Sequence, residues 1–575
     1  MASPDFALAP DPYAPRPSVW VRHGAWLVPA VVIAFTVGLT IAAFPPFHLP
    51  ECACAFAIPG AFWAYTKPRF KVFAWTMFAA QAIAWTVLLG WLHHVTWVGL
   101  LLLGPFVGAW VGTWYLAAWW VLPRMLGQAV PVRLLAMTGL AALWVVIEWS
   151  RSWVLGGFPW LPLAASQWER ASMLQVAAYT GAWGVSFALV MVNLGFAAYA
   201  HRMFREGQVG FAKRSQEFFL ASFVVLGCFT IHVQETAGRG SARRTLGRVA
   251  FVQPAIPQDV KWDAAKAPEI FASLEKTTLA VVPAKPDLVL WPEAVTPLAV
   301  RGDANAKAWV ESVATRVRAP LLLGSLGIEN AGRPGERWFN GAFVVTPDTG
   351  LRDEFYVKRQ LVPFGEYVPL RPVLGWLKKF VPIGDDDPLR GEGASPLLVP
   401  LKAGPVVVGP LICYEDTFPA LARASVRTGA GVLAVVTNNG WFGEGGAAYQ
   451  HAAHSVLRAV ETRRPVLRCG NAGWSGWIDE FGGVGVDPIT KKPAVLTDER
   501  GSVYFRGAQT FTITRDARWI DRRSFYVEHG DWFVFACAAA ALLGYALLVM
   551  APPPPPPESE ANSADAAAGT ADARR

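Results

Sequence analysis

A carboxylate, an ammonium and a thiol stand at or just beyond short apolar runs in this chain. Glu293 closes Asp287-Leu288-Val289-Leu290-Trp291-Pro292, Lys358 lies in Tyr356-Val357-Lys358-Arg359, and Cys413 follows Val406-Val407-Val408-Gly409-Pro410-Leu411-Ile412. A thiol needs a base or a nearby cation to ionise at neutral pH. Glu293 would supply the base and Lys358 the cation, which makes the three a set for acyl transfer. The plain alternative for Cys413 is a buried structural cysteine, where most free cysteines sit. Against that, charged Glu415 and Asp416 follow it almost at once, as expected of an exposed turn at a strand end. Trp291 would shield Glu293 from water and so raise its pKa toward neutrality.

The surrounding residues carry weaker signals. Glu366, in the rigid aromatic stretch Pro363-Phe364-Gly365-Glu366-Tyr367-Val368-Pro369, would orient Lys358 or line the site; as a bare pattern it is also a turn residue. His451 and His454 share a helix face, but no third metal ligand is patterned near them, so they read as ordinary helix residues. Glu461 and Arg464 read as local ion pairs. Asn438-Asn439-Gly440-Trp441-Phe442-Gly443 is a turn by composition, with backbone N–H groups that could face the site. Gly156-Gly157-Phe158-Pro159-Trp160-Leu161 reads as an aromatic anchor at an interface. The six cysteines form no CxxC pair and no His/Cys cluster, and a Cys413–Cys469 disulfide would consume the nucleophile.

These groups must be positioned by a chain that is 53% hydrophobic and only 16% charged over 575 residues. A soluble protein carries about 25% charged residues. Its 27 tryptophans suit a bilayer–water interface. The net charge of +8 is spread over loops with no basic stripe, which excludes a nucleic-acid reading. About eight apolar segments approach the roughly 20 residues that a spanning helix needs. They fall near 26–44, 53–65, 72–92, 97–122, 134–149, 174–200, 218–233 and 532–550, the second being short enough to be tilted, re-entrant or longer than it looks. Lys67, Arg69 and Lys71, then Arg124 and Arg133, then Arg202, Arg205, Lys213 and Arg214 occupy every second loop, whereas 45–51 and 93–96 hold no Lys or Arg. Basic loops stay in the cytoplasm. The chain therefore divides into a cytoplasmic segment 1–24, a membrane domain 25–233 of about seven spans, an extracytoplasmic domain 234–530, a final spanning helix 531–551 and a disordered tail 552–575. Within 234–530, short β-branched runs alternate with helical patterns at 267–282, 304–317 and 449–462, which implies helices over buried strands. Pattern alone does not separate a doubly wound sheet from a two-sheet sandwich. An inactive transporter or scaffold would be marked by intramembrane charge such as Glu148, which here reads as an interfacial anchor with Arg151.

In their order and settings, Trp-Pro-Glu293, Val-Lys358-Arg and Cys413-Tyr-Glu resemble the nitrilase or carbon–nitrogen hydrolase superfamily. With the spans added, nearly the whole chain resembles the bacterial apolipoprotein N-acyltransferases. Phe251–Gln258 leading to Lys261-Trp262, Val362–Pro369, Thr437–Gly443, Gln450-His451, Gly157–Leu161 and Thr180–Phe187 are all similar to that family's stretches. The resemblance implies an α-β-β-α nitrilase-like sandwich outside the cytoplasm on a bundle of about eight spanning helices, in a bacterial inner membrane. It implies no cofactor and no metal. It implies a ping-pong reaction in which Glu293 deprotonates Cys413, the thiolate takes an acyl chain from a phospholipid such as phosphatidylethanolamine, and Lys358 holds the oxyanion. The thioester then acylates the α-amine of a diacylated apolipoprotein. By the same analogy Glu366, Tyr414, Glu415 and Trp262 bind substrate or shape the site. A membrane-tethered amidase acting on a small amide is the alternative.

Overall fold

The computed structural model describes residues 19–205, 216–369, 371–376 and 387–551. The Pro-rich N-terminal stretch, Lys213 with Arg214, and the tail beyond Ala551 lie outside the described residues. Among the described residues, six helices are long and apolar enough to cross a membrane: Phe70–Leu88, Trp97–Met125, Val130–Ser150, Ala182–Arg205, Gln216–Thr236 and Trp532–Met550. The helix Val19–Ala42 precedes them, its apolar part starting at Trp26.

The second apolar segment departs from a plain span. It is a 3-10 turn, Pro50–Cys54, followed by the eight-residue helix Ile58–Tyr65, about 12 Å long at 1.5 Å per residue. A break inside a bilayer needs partners for its freed backbone groups. Asn193, buried midway along Ala182–Arg205, provides them: its Oδ1 accepts from Ala57 N (2.8 Å) and its Nδ2 donates to Ala53 O (2.8 Å). At one end of the segment, Gln167 donates to Pro50 O (2.9 Å); at the other, Tyr65 stacks on His201. The segment thus runs beside Ala182–Arg205 over most of that helix's length as a discontinuous element.

Residues 243–516 form two facing sheets. The first has the strand order β11-β1-β2-β3-β4-β5: β1 Arg243–Gln253, β2 Leu288–Leu290, β3 Leu321–Glu329, β4 Arg337–Thr346, β5 Gly350–Val357 and β11 Gly507–Asp516. The second has the order β10-β9-β8-β7-β6: β6 Leu397–Val399, β7 Val406–Ile412, β8 Val432–Thr437, β9 Val466–Gly470 and β10 Gly476–Ile478. Side chains alternate along each strand. In β1, Val249 and Phe251 enter the core between the sheets, with Leu290, Leu322, Val408, Ile412, Val436 and Phe511. Ala250 and Val252 face outward into a second core, closed by the helices Ala267–Leu279 and Ala304–Val317. Leu411, Leu433 and Val435 face the other way, against the helices Pro419–Arg427 and Gly446–Thr462, in a core continuous with the membrane bundle. The order is α-β-β-α, so the open choice between one wound sheet and two resolves to a sandwich.

The sandwich is seamed to the bundle by polar contacts. Gln450 Oε1 accepts from the indoles of Trp91 and Trp160 (both 3.0 Å), and its amide nitrogen donates to Pro45 O (3.1 Å) and Leu88 O (3.0 Å). One buried side chain thus holds three inter-helix loops. Glu461 accepts from Ala182 N at the start of the Ala182–Arg205 helix (2.9 Å). Glu148 is an anchor within this seam: its Oε1 accepts from Leu163 N (2.6 Å), while Arg151 donates to the carbonyls of Trp160 and Leu161. Arg464, expected to pair with acids, donates instead to the carbonyls of Ala430, Trp519 and Arg522, because its buried position offers backbone acceptors.

Candidate active site

β7 pairs in parallel with β8 as far as Ile412 opposite Val436, and the chain then turns sharply at Cys413. Cys413 has φ +52°, the left-handed region that residues with a Cβ rarely occupy. Strain of this kind costs on the order of 1–3 kcal/mol and survives only where the surroundings enforce it. Here the enforcement is visible. His451 Nε2 lies 3.1 Å from the Cys413 carbonyl and 2.8 Å from Asp416 Oδ1, and Asp416 Oδ2 accepts from Arg468 (2.7 Å) and Ser455 (2.6 Å). Burial pushes the Asp416 carboxyl up, but His451 and Arg468 outweigh it and hold the group well below its ordinary value, so the clamp stays charged. His451 therefore braces the turn that presents Cys413, and does not belong to the helix alone. No cluster of metal-ligating side chains occurs among the described residues.

Glu293 reaches the site from the loop after β2, and β3 packs directly beneath it. A Cβ on Gly324 would lie 2.6 Å from Glu293 Cα, so only glycine allows this approach. Lys358 follows β5, and its Nζ donates to Glu293 Oε1 (3.3 Å) and Glu366 Oε1 (2.9 Å). Asn340, on β4, donates to Glu293 Oε1 (2.8 Å), and the charge of this carboxylate acts on the Cys413 thiol. Glu293, Lys358 and Cys413 thus come together, with Glu366 on the far side of the ammonium. Glu366 Oε2 also accepts from Val362 N (2.8 Å), which makes its loop a brace for Lys358.

The electrostatics differ from the sequence reading at one point. Burial pushes the Glu293 carboxyl up as expected, but Lys358 and Lys261 together outweigh it and leave the group below its ordinary value. Glu293 is therefore ionised at neutral pH. Lys358 is held well above its ordinary value by Glu366 and Glu293, against its burial. Burial, then the Glu293 charge, push the Cys413 thiol up to about 12. The site thus holds a neutral thiol beside a carboxylate at neutral pH.

The other expected site residues fall into two groups. Glu415 does not face the thiol. It is fully buried, and its carboxylate accepts from Ile412 N (2.7 Å), Tyr356 OH (2.7 Å), Arg359 N (2.5 Å) and Gln360 N (3.1 Å). It staples the Lys358 loop to the end of β7. Tyr414 donates to Gly157 O (2.9 Å) and stacks on Phe158, so the Gly156–Leu161 loop is fastened under the nucleophile's own neighbour. Trp262 stands 48% exposed beside a fully buried Lys261. Asn340, Thr437, Asp416 and Lys261 are neighbours of Glu293, Lys358 and Cys413 that residue patterns did not single out as site residues. A polar residue inside an otherwise apolar strand, such as Asn340, was the available signal.

The staple makes a stability prediction. Glu415→Gln puts an amide N–H₂ against backbone donors, leaving buried groups unpaired at about 1–3 kcal/mol each. The thermal midpoint followed by tryptophan fluorescence is expected to fall by roughly 5 °C or more. An unchanged midpoint would rule the staple out.

Residues 37–195 match the family model of the apolipoprotein N-acyltransferase N-terminal domain, and residues 248–507 match carbon-nitrogen hydrolase. The apolipoprotein N-acyltransferase of Geobacter metallireducens is 33% identical over 416 residues, covering 70% of this chain and 73% of the relative. That of Chlorobaculum tepidum is 27% identical over 527 residues, covering 88% and 93%, and that of Pseudomonas aeruginosa is 32% identical over 345 residues, covering 60% and 63%. Among solved structures, an amidase from Nesterenkonia sp. is similar at 18% identity and a TM-score of 0.33, covering 50% of this chain and 97% of its own. On the combined evidence of the Geobacter relative and the two domain matches, this chain belongs to the apolipoprotein N-acyltransferase family.

Proposed function

We propose that the acyl chain travels through Cys413: from the ester of a phospholipid, phosphatidylethanolamine for preference, to a thioester on Cys413, and then to the α-amine of the diacylglyceryl-cysteine that begins an apolipoprotein. The chain is a multi-pass membrane N-acyltransferase of lipoprotein maturation. The observation that carries the residue-level reading is the meeting of Glu293, Lys358 and Cys413 directly above the loop that leads into the spans. In the first half-reaction Sγ bonds to the acyl carbon while its proton passes to Glu293. Lys358 and backbone N–H groups take up the oxyanion charge. The ester C–O bond then breaks, and Glu293 returns the proton to the departing lysophospholipid oxygen. In the second, the amine attacks the thioester, Glu293 accepts its proton, and the thiol leaves. A thiol is a better leaving group than an alcohol, so the intermediate suits an amine acceptor. Tyr414, Glu415, Glu366 and Trp262 hold and border this site.

The same reading puts residues 234–530 on the outer face of a bacterial inner membrane. What supports it is the placement of charge. The loop ends bearing Arg133 and Arg202 meet at Glu217 (2.9 and 2.7 Å), and Trp119, near Arg124, donates to Pro68 O beside Lys67. The loops without Lys or Arg at 45–51 and 90–96 are those that Gln450 and Phe442 of the sandwich touch. Apart from Arg151 and Arg170 in the loop that meets the sandwich, the basic loop ends gather away from these contacts, which agrees with the positive-inside rule for an outward-facing domain.

Purified protein mixed with phosphatidylethanolamine is expected to show, by mass spectrometry, one hydroxylamine-sensitive acyl group on the Cys413 peptide. A diacylated lipopeptide added next should remove that group and gain it as an amide. Release of free fatty acid without transfer would establish a hydrolase instead.

A further inference from the structure

Lys358 is usually enough cation for one thiol, but here it is shared between two carboxylates, Glu293 and Glu366. The buried set therefore needs a second positive charge if it is to stay near neutrality. Lys261 is placed to be that charge. It is 1% exposed, at the end of the short turn Gln258–Lys261, and its Nζ makes a long hydrogen bond of 3.4 Å to the backbone carbonyl of Glu293. That is the only hydrogen bond found for this ammonium among the described residues. Among the described residues no carboxylate oxygen lies within ion-pair distance of it, and Trp262 covers one side at 5.3 Å.

We infer that Lys261 is a second working cation of this active site, whose ammonium balances the charge that appears on the acyl carbonyl oxygen when Cys413 attacks. The inference rests on the thioester reading above and deepens it. At rest, two carboxylates face two ammonium groups. In the tetrahedral intermediate Glu293 carries the thiol's proton, and the oxyanion replaces its negative charge. The sum is again zero, but only with Lys261 protonated. Without it one negative charge is uncompensated at rest and in the intermediate alike. What attack changes is its place, from the Glu293 carboxylate, held by Lys358 and Asn340, to the acyl oxygen, where an unpaired buried charge is expensive. Lys358 alone, bound to Glu366 throughout, does not change this sum.

The charge on Lys261 has its own pH signature. Burial lowers its pKa to about 8, although Glu293 and Cys413 pull it upward. The ammonium is therefore present below about pH 8 and lost as pH rises through that value. The other groups that face this cluster titrate elsewhere. Glu293 lies below the ordinary carboxylate range, His451 below the ordinary imidazole value, Lys358 well above the lysine range and Cys413 near 12.

The test is single-turnover acylation by phosphatidylethanolamine, followed from pH 6 to pH 10 as the amplitude and rate constant of the Cys413 adduct. The wild type is expected to lose rate with an apparent pKa near 8. Lys261→Arg should move that loss out of the range. Lys261→Met should remove it and lower the neutral-pH rate constant on the order of 100-fold while the amplitude persists. Lost amplitude with an unaltered rate constant would mean misfolding, and the Lys261→Arg profile then decides. An alkaline loss that stays near its wild-type position in both variants overturns the inference. Absence of any adduct in the wild type would instead overturn the thioester reading beneath it.

Discussion

Cys413→Ala is expected to carry no acyl group after exposure to phospholipid and to transfer none to lipopeptide, a loss on the order of 10⁴-fold or more. The reason is placement as much as chemistry. The left-handed turn at Cys413 aims one sulfur at Glu293, and among the described residues the next thiol, Cys469, is tied up donating to Val252 O and Leu290 O (3.3 and 3.4 Å) between the sheets. Cys413→Ser is the more informative variant. It keeps a nucleophile of similar size, yet a serine hydroxyl is harder to ionise than a thiol already pushed to about 12. Its oxygen ester would also resist the incoming amine. Any small adduct on Ser should therefore survive hydroxylamine at neutral pH and persist when lipopeptide is added. Alanine at this position with undiminished transfer would end the account.

Glu293→Gln is expected to cost on the order of 10³- to 10⁴-fold in thioester formation. The wild-type carboxylate sits below its ordinary pKa, so it stays a competent base until the pH falls into the acid range, and activity is lost only there. Glutamine keeps the size and can still accept from Asn340, but it takes no proton. Attack must then wait for the small fraction of thiolate that solvent pH allows. The variant's rate should accordingly climb about tenfold per pH unit across neutral and mildly alkaline pH, since 1.36 kcal/mol accompanies each unit. Pre-formed acyl-enzyme, trapped with wild type and compared under the same lipopeptide, separates the two half-reactions. If the second step proceeds normally when Glu293 is replaced, a different base serves it. A flat pH–rate profile in the first step would remove Glu293 from the role of base altogether.

How a base below its ordinary pKa can accept from a thiol near 12 follows from timing. As Sγ bonds to carbon its proton becomes acidic, and the negative charge moves to the carbonyl oxygen, within reach of the lysines. The proton transfer and the charge displacement belong to one event.

The three residues that the structure brings together, Glu293, Lys358 and Cys413, were legible because they lie at strand ends, where residue type and neighbouring apolar runs suffice. Their ionisation was not. A tryptophan beside Glu293 suggested a raised carboxyl, but the decisive neighbours were two lysines remote in sequence. Lys261 was hidden by an ordinary rule, that lysines belong on surfaces. β5 escaped because Arg352, Asp353 and Glu354 make it polar, as suits a strand at the sheet edge. β11 escaped because its partner, β1, lies more than 200 residues earlier, a pairing that local pattern does not carry. The second span was marked short, and the sequence did hold its explanation: a lone Asn193 within the apolar stretch 187–200, whose amide completes the broken backbone.

The protonated, enclosed state of Cys413 has a bearing on survival between turnovers. Oxidants and disulfide-exchanging proteins capture thiolates far faster than thiols. A sulfur that becomes anionic only while an ester carbonyl lies against it offers such reagents almost nothing to seize. If residues 234–530 face the oxidising side of the membrane as proposed, a thiol kept in this state would persist there between turnovers.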